Sequence, residues 1–297
     1  MKVYSFSVFT KPWKKESLDE LGQLVHNMGF DAIEYPLRDG FQVQPSDGGE
    51  GIKKLCKTMA KHNIKVLSLA AGIDINTNDG KGGLKGIDEA VFAGCGEAGI
   101  PIIRICQSLN PELAYHENLD ALRRRYDSAL PFCQKHNVTL GIQMHYGHTD
   151  INGSWDSYLL LKDYDPKYIA AVWDAGHSGL AGESPRYGLD CLWDHLCMVN
   201  FKSAYWYRTN PASIAEQAQW SAYWVNARNG MCSWKEAVDY LKKRGYKGTI
   251  CLPAEYSDEA NTEKYAQDDL NYIKELLGIS TDLTMGEAHE IAFYGRI

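Results

Sequence analysis

The chain has 297 residues, of which 44% are hydrophobic and 23% are charged, values typical of a folded globular protein. This length fits one large domain or two small ones, and barrels of alternating strands and helices reach about 250 residues as a single domain. The net charge of −7 argues against a nucleic-acid partner, because neutralising phosphates requires clustered Lys and Arg side chains.

Eight short runs of apolar or alternating residues recur along the chain, each bounded by Gly, Pro, Asn or Asp, and they predict strands. In chain order the runs are residues 3–9, 31–35, 64–70, 102–106, 139–145, 169–173, 198–202 and 249–254. Between them, apolar residues recur at helical spacing in segments 18–28, 52–59, 119–130, 238–241 and 265–277. Gly29, Gly99 and Gly245 come shortly before three of the predicted strands, where glycine is the usual stop signal of a helix.

Strands that alternate with helices about every 30 residues indicate βαβ units and a parallel sheet. Eight strands favour closure, so the sequence predicts an α/β fold, a single-domain (β/α)₈ TIM barrel over residues 1–278. Segment 204–230, rich in Trp and Tyr, is predicted to be an insertion after the seventh strand, and residues 279–297 a C-terminal extension. No Gly-x-Gly-x-x-Gly motif follows the first strand, so we expect no nucleotide cofactor.

Polar residues collect where the predicted strands end. In a barrel of this kind the catalytic groups project from the carboxyl ends of the strands and from the loops that follow. The polar residues at these positions are Glu34, Gln143, His145, Asp174, His177, Asn200, Lys202 and Glu255. Some also have a structural interpretation. Asp174 would cap the next helix, and Lys202 would be a solvated charge. Glu34 would pair with Arg38 or Arg104.

Five short segments carry a resemblance to a known family. They are residues 29–34 (GFDAIE), 173–177 (WDAGH), 200–202 (NFK), 230–234 (GMCSW) and 245–248 (GYKG). In order and spacing they resemble the xylose-isomerase-like TIM barrels, which include sugar phosphate isomerases and epimerases, ketose 3-epimerases and inosose dehydratases. The resemblance runs from Met1 to about Gly278 and implies a family rather than one substrate.

The resemblance implies one divalent metal, held by a Glu, an Asp, a His and a Glu at the ends of strands five to eight. In this chain the corresponding residues are Gln143, Asp174, Asn200 and Pro253, with Glu255 two positions after the proline. Amide oxygens suit hard ions but bind them weakly, so Mn²⁺ or Mg²⁺ is expected ahead of Zn²⁺. Two alternatives stay open: no metal at all, or a shifted site of His145, Asp174, His177 and Glu255.

The chemistry that the resemblance implies is proton abstraction next to a carbonyl of a sugar. Gln143 cannot be the base, because an amide does not take up a proton near pH 7, so His145 or His177 is expected in that role. Lys202 is expected to stabilise a developing oxyanion. The predicted substrate contacts are Glu34, Gln143, Asn200, Trp206 and Arg228, with Glu34 also counted among the catalytic groups.

Two functions from different classes follow from these residues. The first is an isomerase, epimerase or dehydratase-type lyase that acts on a small sugar, cyclitol or related polyol. The second is a sugar-binding or scaffolding barrel that has lost catalysis, which Gln143 and Asn200 favour because both replace metal ligands of the family.

The cysteines and the apolar runs bear on location. None of the eight cysteines forms a Cys-x-x-Cys pair, a pattern typical of free thiols in a reducing compartment. The first nine residues lack the long apolar core of a signal peptide, and no apolar run reaches about 18 residues. We therefore expect a cytoplasmic protein without a membrane segment. Like many barrels of this type, it is expected to be a homo-oligomer.

Overall fold

The structure is a computed structural model that describes residues 4–71, 89–106, 108–146, 151–211, 213 and 217–279. The barrel strands are β1 (Ser5–Phe9), β2 (Ala32–Leu37), β3 (Lys65–Ala71), β4 (Ile102–Cys106), β5 (Thr139–Gln143), β6 (Ile169–Asp174), β7 (Leu196–Asn200) and β10 (Thr249–Pro253). They close into a parallel barrel in the order β1-β10-β7-β6-β5-β4-β3-β2, which confirms the predicted TIM barrel. Apart from residue 279, the predicted C-terminal extension lies outside the described residues, so a boundary at residue 278 stays a prediction.

Side chains alternate along each strand between the barrel axis and the surrounding helices. In β6, Ile169, Ala171 and Trp173 pack in the core between strands and helices, whereas Val172 belongs to the core inside the barrel. Asp174 shares the inward face of Val172 and ends the strand. The same alternation turns four other polar side chains toward the axis: Glu34, Arg104, Gln143 and Asn200.

An apolar layer fills the barrel below these polar groups. Its buried members are Phe9, Ala70, Ile102, Val172, Met198 and Cys251. Gly141 adds no side chain to this layer, and a Cβ there would lie 2.9 Å from Val172 Cγ2. The barrel interior is therefore packed, and any ligand must bind at the carboxyl ends of the strands.

The helices pack around the barrel. They are α1 (Leu18–Asn27), α2 (Gly48–Lys61), α3 (Glu89–Ala98), α4 (Tyr115–His136), α5 (Ser154–Leu161), α6 (Ala175–Leu180), α7 (Pro185–Leu192), α8 (Trp234–Arg244) and α9 (Thr262–Leu277). The segments with helical spacing fall in α1, α2, α4, α8 and α9. Helices α5, α6 and α7 have eight, six and eight residues, too few for a helical period to be recognised in the sequence. Within the described part of the chain, no helix has the length and hydropathy needed to span a membrane.

Two predicted strands end two residues earlier than their sequence pattern suggests. β5 ends at Gln143, and the chain then turns so that the His145 N–H donates to the carbonyl of Ile151 at 3.0 Å. β7 ends at Asn200, and Lys202 leads into a hairpin of two antiparallel strands, β8 (Ser203–Arg208) and β9 (Trp220–Val225). Both residues therefore lie just beyond their strands, at the mouth of the barrel.

Candidate active site

A chamber of about 230 Å³ lies at the carboxyl ends of the barrel strands. The residues that line it are Phe9, Lys11, Arg38, Arg104, Cys106, Gln143, His145, Asn200, Lys202, Pro253 and Glu255. Five of the predicted site residues are among them: Gln143, His145, Asn200, Lys202 and Glu255. Asp174 contacts Gln143 and Lys202 from below, so the structure brings six predicted residues together.

A larger cleft of about 1330 Å³ connects this chamber to solvent. Lys11, His145, Lys202 and Glu255 line both spaces, so they form the passage between chamber and cleft. The outer cleft runs between the loop after β1 and the start of α9, and Thr262 of that helix contributes to its wall.

A buried ion pair joins β2 to β4 under the chamber. Arg104 Nε donates to Glu34 Oε1 at 2.7 Å, and Ser68 Oγ donates to the same oxygen at 3.1 Å. Arg104 Nη1 donates to Gln143 Oε1. Burial works against the charge of Arg104, but the carboxylate of Glu34 outweighs burial and raises the pKa of the guanidinium. Of the two partners that the sequence left open for Glu34, the structure selects Arg104.

Asp174 ends β6 and caps α6. Its Oδ1 accepts a hydrogen bond from the His177 N–H at 3.1 Å, and its Oδ2 accepts one from Gln143 Nε2 at 2.7 Å. Burial raises the pKa of this carboxyl, although the ammonium of Lys202, 3.9 Å from Oδ2, acts in the opposite direction. The capping interpretation is confirmed, and the same carboxylate also faces the site.

The Lys202 ammonium lies between two carboxylates where the chamber meets the outer cleft. Its Nζ is 3.3 Å from Glu255 Oε2 and 3.9 Å from Asp174 Oδ2, and the side chain is only 5% exposed. Burial opposes the charge of Lys202, but Asp174 and Glu255 outweigh it and raise its pKa. Burial also opposes the charge of Glu255, yet Lys202 and Lys11 lower its pKa far below the usual range. At neutral pH the pair is therefore an ammonium and a carboxylate.

Two histidines contact each other at one wall of the chamber. The ring centroids of His145 and His177 are 4.0 Å apart. The backbone N–H of Tyr146 donates to His177 Nδ1 at 3.0 Å, so the ring proton of His177 sits on Nε2. Burial, reinforced by the charge of Lys202, lowers the pKa of His177 well below its usual value and keeps the ring neutral. His145 faces both the chamber and the cleft, whereas His177 is fully buried behind it.

The aromatic hairpin supplies a wall of the cleft through Trp224. Lys202 Nζ is 4.2 Å from the centroid of the Trp224 ring. Gly176 permits this packing, since a Cβ there would lie 2.9 Å from Lys202 Cγ and 3.0 Å from Trp224 Cζ3. Trp206 lies one layer further out, where its Nε1 donates to the last carbonyl of α6 at 2.9 Å and its ring meets that of Tyr146 edge to face.

The residues at the family's metal positions come together, but they do not fit a divalent ion. The Lys202 ammonium already lies between the carboxylates of Asp174 and Glu255, and Arg104 holds the carbonyl oxygen of Gln143. Across the described ranges, no group of three or more His, Cys, Asp or Glu side chains could hold a metal. A divalent cation here would face a fixed positive charge with few anionic ligands.

Asn200, the third of these positions, is a separate case. Its side chain is 1% exposed, and within the described part of the chain neither its amide oxygen nor its nitrogen has a hydrogen-bond partner. Buried amides are normally paired, so Asn200 has hydrogen-bonding capacity left for a ligand in the chamber that it lines.

The structure does not bring Arg228 to the chamber. It follows the aromatic hairpin on the outside of the barrel, where its side chain is 62% exposed and its Nη2 lies 3.0 Å from Glu275 Oε2. Its guanidinium also stacks on Tyr272 of α9, 3.8 Å from the ring centroid. The hairpin carries the chain away from the mouth of the barrel, and a sequence position after the seventh strand does not reveal this.

Three charged residues of the chamber were not among the predicted site residues. Lys11 and Arg38 follow β1 and β2, where the search for polar residues at strand ends applies equally. Arg104 is a charge inside the apolar strand Ile-Ile-Arg-Ile-Cys, and a charge in a buried strand is a signal in itself.

The closed parallel barrel, with its polar chamber at the carboxyl ends of the strands, agrees with the family indicated by the sequence motifs. The chain belongs to the xylose isomerase-like TIM barrel family, whose model matches residues 23–276. It is therefore a member of a superfamily of sugar isomerases, epimerases and dehydratases.

Individual relatives are distant. The chain is 23% identical over 150 residues to an inosose dehydratase of Mesomycoplasma hyopneumoniae (strain J), a stretch covering 48% of this chain and 50% of that protein. The chain thus matches about half the length of its curated relatives. The probable 3-DHS dehydratase AsbF of Bacillus anthracis has a TM-score of 0.67 at 14% identity, covering 91% of this chain and 98% of that one. The IOLI protein, solved with a zinc atom, has a TM-score of 0.67 at 14% identity, covering 92% and 98%. At these identities the solved structures show a shared fold.

Proposed function

We propose that this chain is a lyase that removes the proton beside a carbonyl group of a sugar, cyclitol or related polyol and then eliminates water. The observation that carries the proposal is the buried ammonium of Lys202. It is fixed by Asp174 and Glu255 in the wall of a chamber that His145 also lines. A fixed positive charge and an imidazole are the two groups that such a reaction requires.

Lys202 acts on the carbonyl oxygen of the substrate. When a proton leaves the neighbouring carbon, negative charge develops on that oxygen, and a charged donor already in place stabilises it without reorganisation. The raised pKa of Lys202 keeps it an ammonium throughout the neutral range, so the charge is always present. Because the donors of this site do not fit a divalent ion, the ammonium takes the electrostatic role here.

His145 acts as base and then as acid. It takes the proton from the carbon next to the carbonyl, and the electrons of the C–H bond form an enolate. The enolate re-forms the carbonyl, its carbon–carbon double bond shifts, and the hydroxyl on the next carbon leaves. The leaving hydroxyl takes the proton from the imidazolium of His145, so the products are water and an unsaturated carbonyl compound. A single base on one face of the substrate suffices for this elimination.

The remaining predicted residues position these groups or contact the substrate. His177 is neutral with its proton on Nε2 and packs against His145, so we assign it to positioning the base rather than to proton transfer. Glu34 acts through Arg104, which orients the amide of Gln143. Asn200, with both side-chain polar atoms unpaired in the described ranges, would bind a substrate hydroxyl.

The second candidate is a sugar-binding protein without turnover. The observation that favours it is that Gln143 and Asn200 place neutral amides where family members carry metal ligands, which leaves hydrogen-bonding groups without a metal-bound base. Against it stands the buried ion-pair arrangement around Lys202, because two carboxylates on one ammonium are not needed to bind neutral hydroxyls.

The reaction is tested by incubating the full chain with a panel of ketoinositols, keto-sugars and sugar-derived keto acids in D₂O. Absorbance reports the unsaturated product, and NMR reports exchange of the proton beside the carbonyl. We expect turnover of at least one compound, a loss of about 10²-fold or more in kcat for His145→Asn, and a similar loss for Lys202→Met. His26→Asn, on the exposed side of α1, is the control and is expected to be unchanged. Binding of a sugar without exchange or product would contradict the lyase and support the second candidate.

Location and assembly remain parts of this proposal. All eight cysteines are free thiols, which supports a reducing cytoplasm, and the exposed Trp220 of the aromatic hairpin would suit a contact between copies of the chain.

A further inference from the structure

The charges around the inner chamber do not balance. Four cationic side chains line it: Lys11, Arg38, Arg104 and Lys202. Within the described ranges, three carboxylates contact these cations: Glu34, Asp174 and Glu255. Among the described residues, one positive charge is therefore left over, in a chain whose net charge is −7.

The surplus charge can be assigned to Arg38. Arg104 is paired with Glu34. Lys11 and Lys202 both contact Glu255, and Lys202 also faces Asp174. Arg38 has no such carboxylate among the described residues. Its Nε is buried and has no hydrogen-bond partner there. The side chain extends from the end of β2 over the ring of Phe9, with Cζ 5.8 Å from the centroid. An unpaired guanidinium N–H that is shielded from water is energetically costly unless a ligand accepts its hydrogen bond.

We propose that the chamber binds a substrate carrying one carboxylate, held by the guanidinium of Arg38 with Lys11 beside it. This inference rests on the proposed function for the identity of the reacting carbonyl, whereas the carboxylate site is inferred from the charge balance and the unpaired Nε of Arg38. The planar fork of an arginine matches a carboxylate with two parallel hydrogen bonds. The substrate class is then a polyhydroxy acid, such as a keto acid derived from a sugar or cyclitol, rather than a neutral sugar.

A carboxylate fits better than a phosphate ester. Counted over the part of the chain that the structure describes, the chamber has one uncompensated positive charge, and its volume is about 230 Å³. A phosphate monoester carries close to two negative charges at pH 7, so the second would enter a partly buried site without a counter-charge. The arrangement therefore favours a monoanion.

The test measures binding by calorimetry with matched pairs, so that turnover is not required. The probes are D-glucuronate with D-glucose, D-galacturonate with D-galactose, D-gluconate with D-glucitol, and D-glucose 6-phosphate. We expect the acid of at least one pair to bind about tenfold more tightly than its neutral partner, a typical effect of one charged hydrogen-bonded contact. Arg38→Gln should abolish the difference, and Arg38→Lys should keep part of it. Arg186→Gln, an exposed arginine of α7, is the matched control and should keep all of it.

Three results would overturn the carboxylate site. The first is that no acid binds more tightly than its neutral partner. The second is that the preference for the acid persists in Arg38→Gln. The third is an Arg38-dependent preference for glucose 6-phosphate over every carboxylate. Circular dichroism confirms that each variant is folded, and Arg38→Lys keeps the test decisive if Arg38→Gln does not fold. If acids bind in an Arg38-dependent way but no reaction occurs, the result counts against the lyase only. If a neutral keto-sugar is turned over and acids are not preferred, the result counts against the carboxylate site only.

Discussion

Lys202 determines the electrostatic character of the site because two carboxylates fix it in the wall of the chamber. Neither carboxylate is free to act as an ordinary base: Asp174 is fully buried and caps α6, and Glu255 is held by two lysines. In the proposed reaction the acid–base work therefore falls to His145, the imidazole that lines the chamber.

The pair of Glu34 and Arg104 provides a prediction of stability. Both side chains are buried, so replacing the carboxylate by an amide leaves the guanidinium without its counter-charge. We expect Glu34→Gln to lower the free energy of unfolding by about 3 kcal/mol in urea denaturation. Glu50→Gln, an exposed carboxylate on α2, should change it by less than about 0.5 kcal/mol. A Glu34→Gln variant as stable as the wild type would contradict a structural role for this pair.

At the scale of elements, α9 connects the end of the aromatic hairpin to the loop after β10. Asp269 of α9 accepts the N–H of Ala227 and the O–H of Tyr256, each at 2.8 Å, and Tyr256 lines the outer cleft. Burial raises the pKa of Asp269 from its ordinary 3.8 to about 7. Protonation of Asp269 near neutral pH therefore acts on Tyr256, a residue in the wall of the cleft.

The sign of the expected pH dependence follows from that shift. Between about pH 4 and pH 7 the folded protein keeps a proton on Asp269 that the unfolded chain releases, so this group makes stability fall as pH rises. Relative to Asp269→Asn, the wild type should lose up to ~4 kcal/mol of unfolding free energy across this range. Urea denaturation at a series of pH values measures this difference. Asp239→Asn, on the exposed face of α8, should follow the wild type, and parallel profiles for wild type and Asp269→Asn would contradict the assignment.

The strands were predictable where burial imposes a pattern. The run 102–106 matches β4 at both ends, because a strand buried on both sides is apolar along its whole length. His145 and Lys202 continue the alternation of β5 and β7 in sequence, yet the chain leaves the barrel before reaching them. Tertiary hydrogen bonds, such as that from the His145 N–H to Ile151, decide where a strand ends, and a local pattern does not contain them.

At the scale of the whole molecule, closure of the barrel assembles the site. β7 and β10 are neighbours in the barrel, with Asn200 opposite Cys251, although the hairpin and α8 separate them in the chain. This pairing places Lys202 against Glu255. The set of strand-end residues was predictable from alternation of strands and helices. Which cation meets which carboxylate depends on the closed order of the strands, so the position of the Lys202 ammonium between two carboxylates was not evident in the sequence.

Dependence on a divalent metal tests the central claim, that the Lys202 ammonium supplies the electrostatic stabilisation. The measurement is kcat/KM on a substrate found in the panel, before and after dialysis against a strong chelator, for the wild type and Lys202→Met. We expect chelation to change the wild-type value by less than about twofold and Lys202→Met to lose about 10²-fold or more with or without added Mn²⁺. A wild-type activity that is lost on chelation and restored by Mn²⁺ would contradict the account.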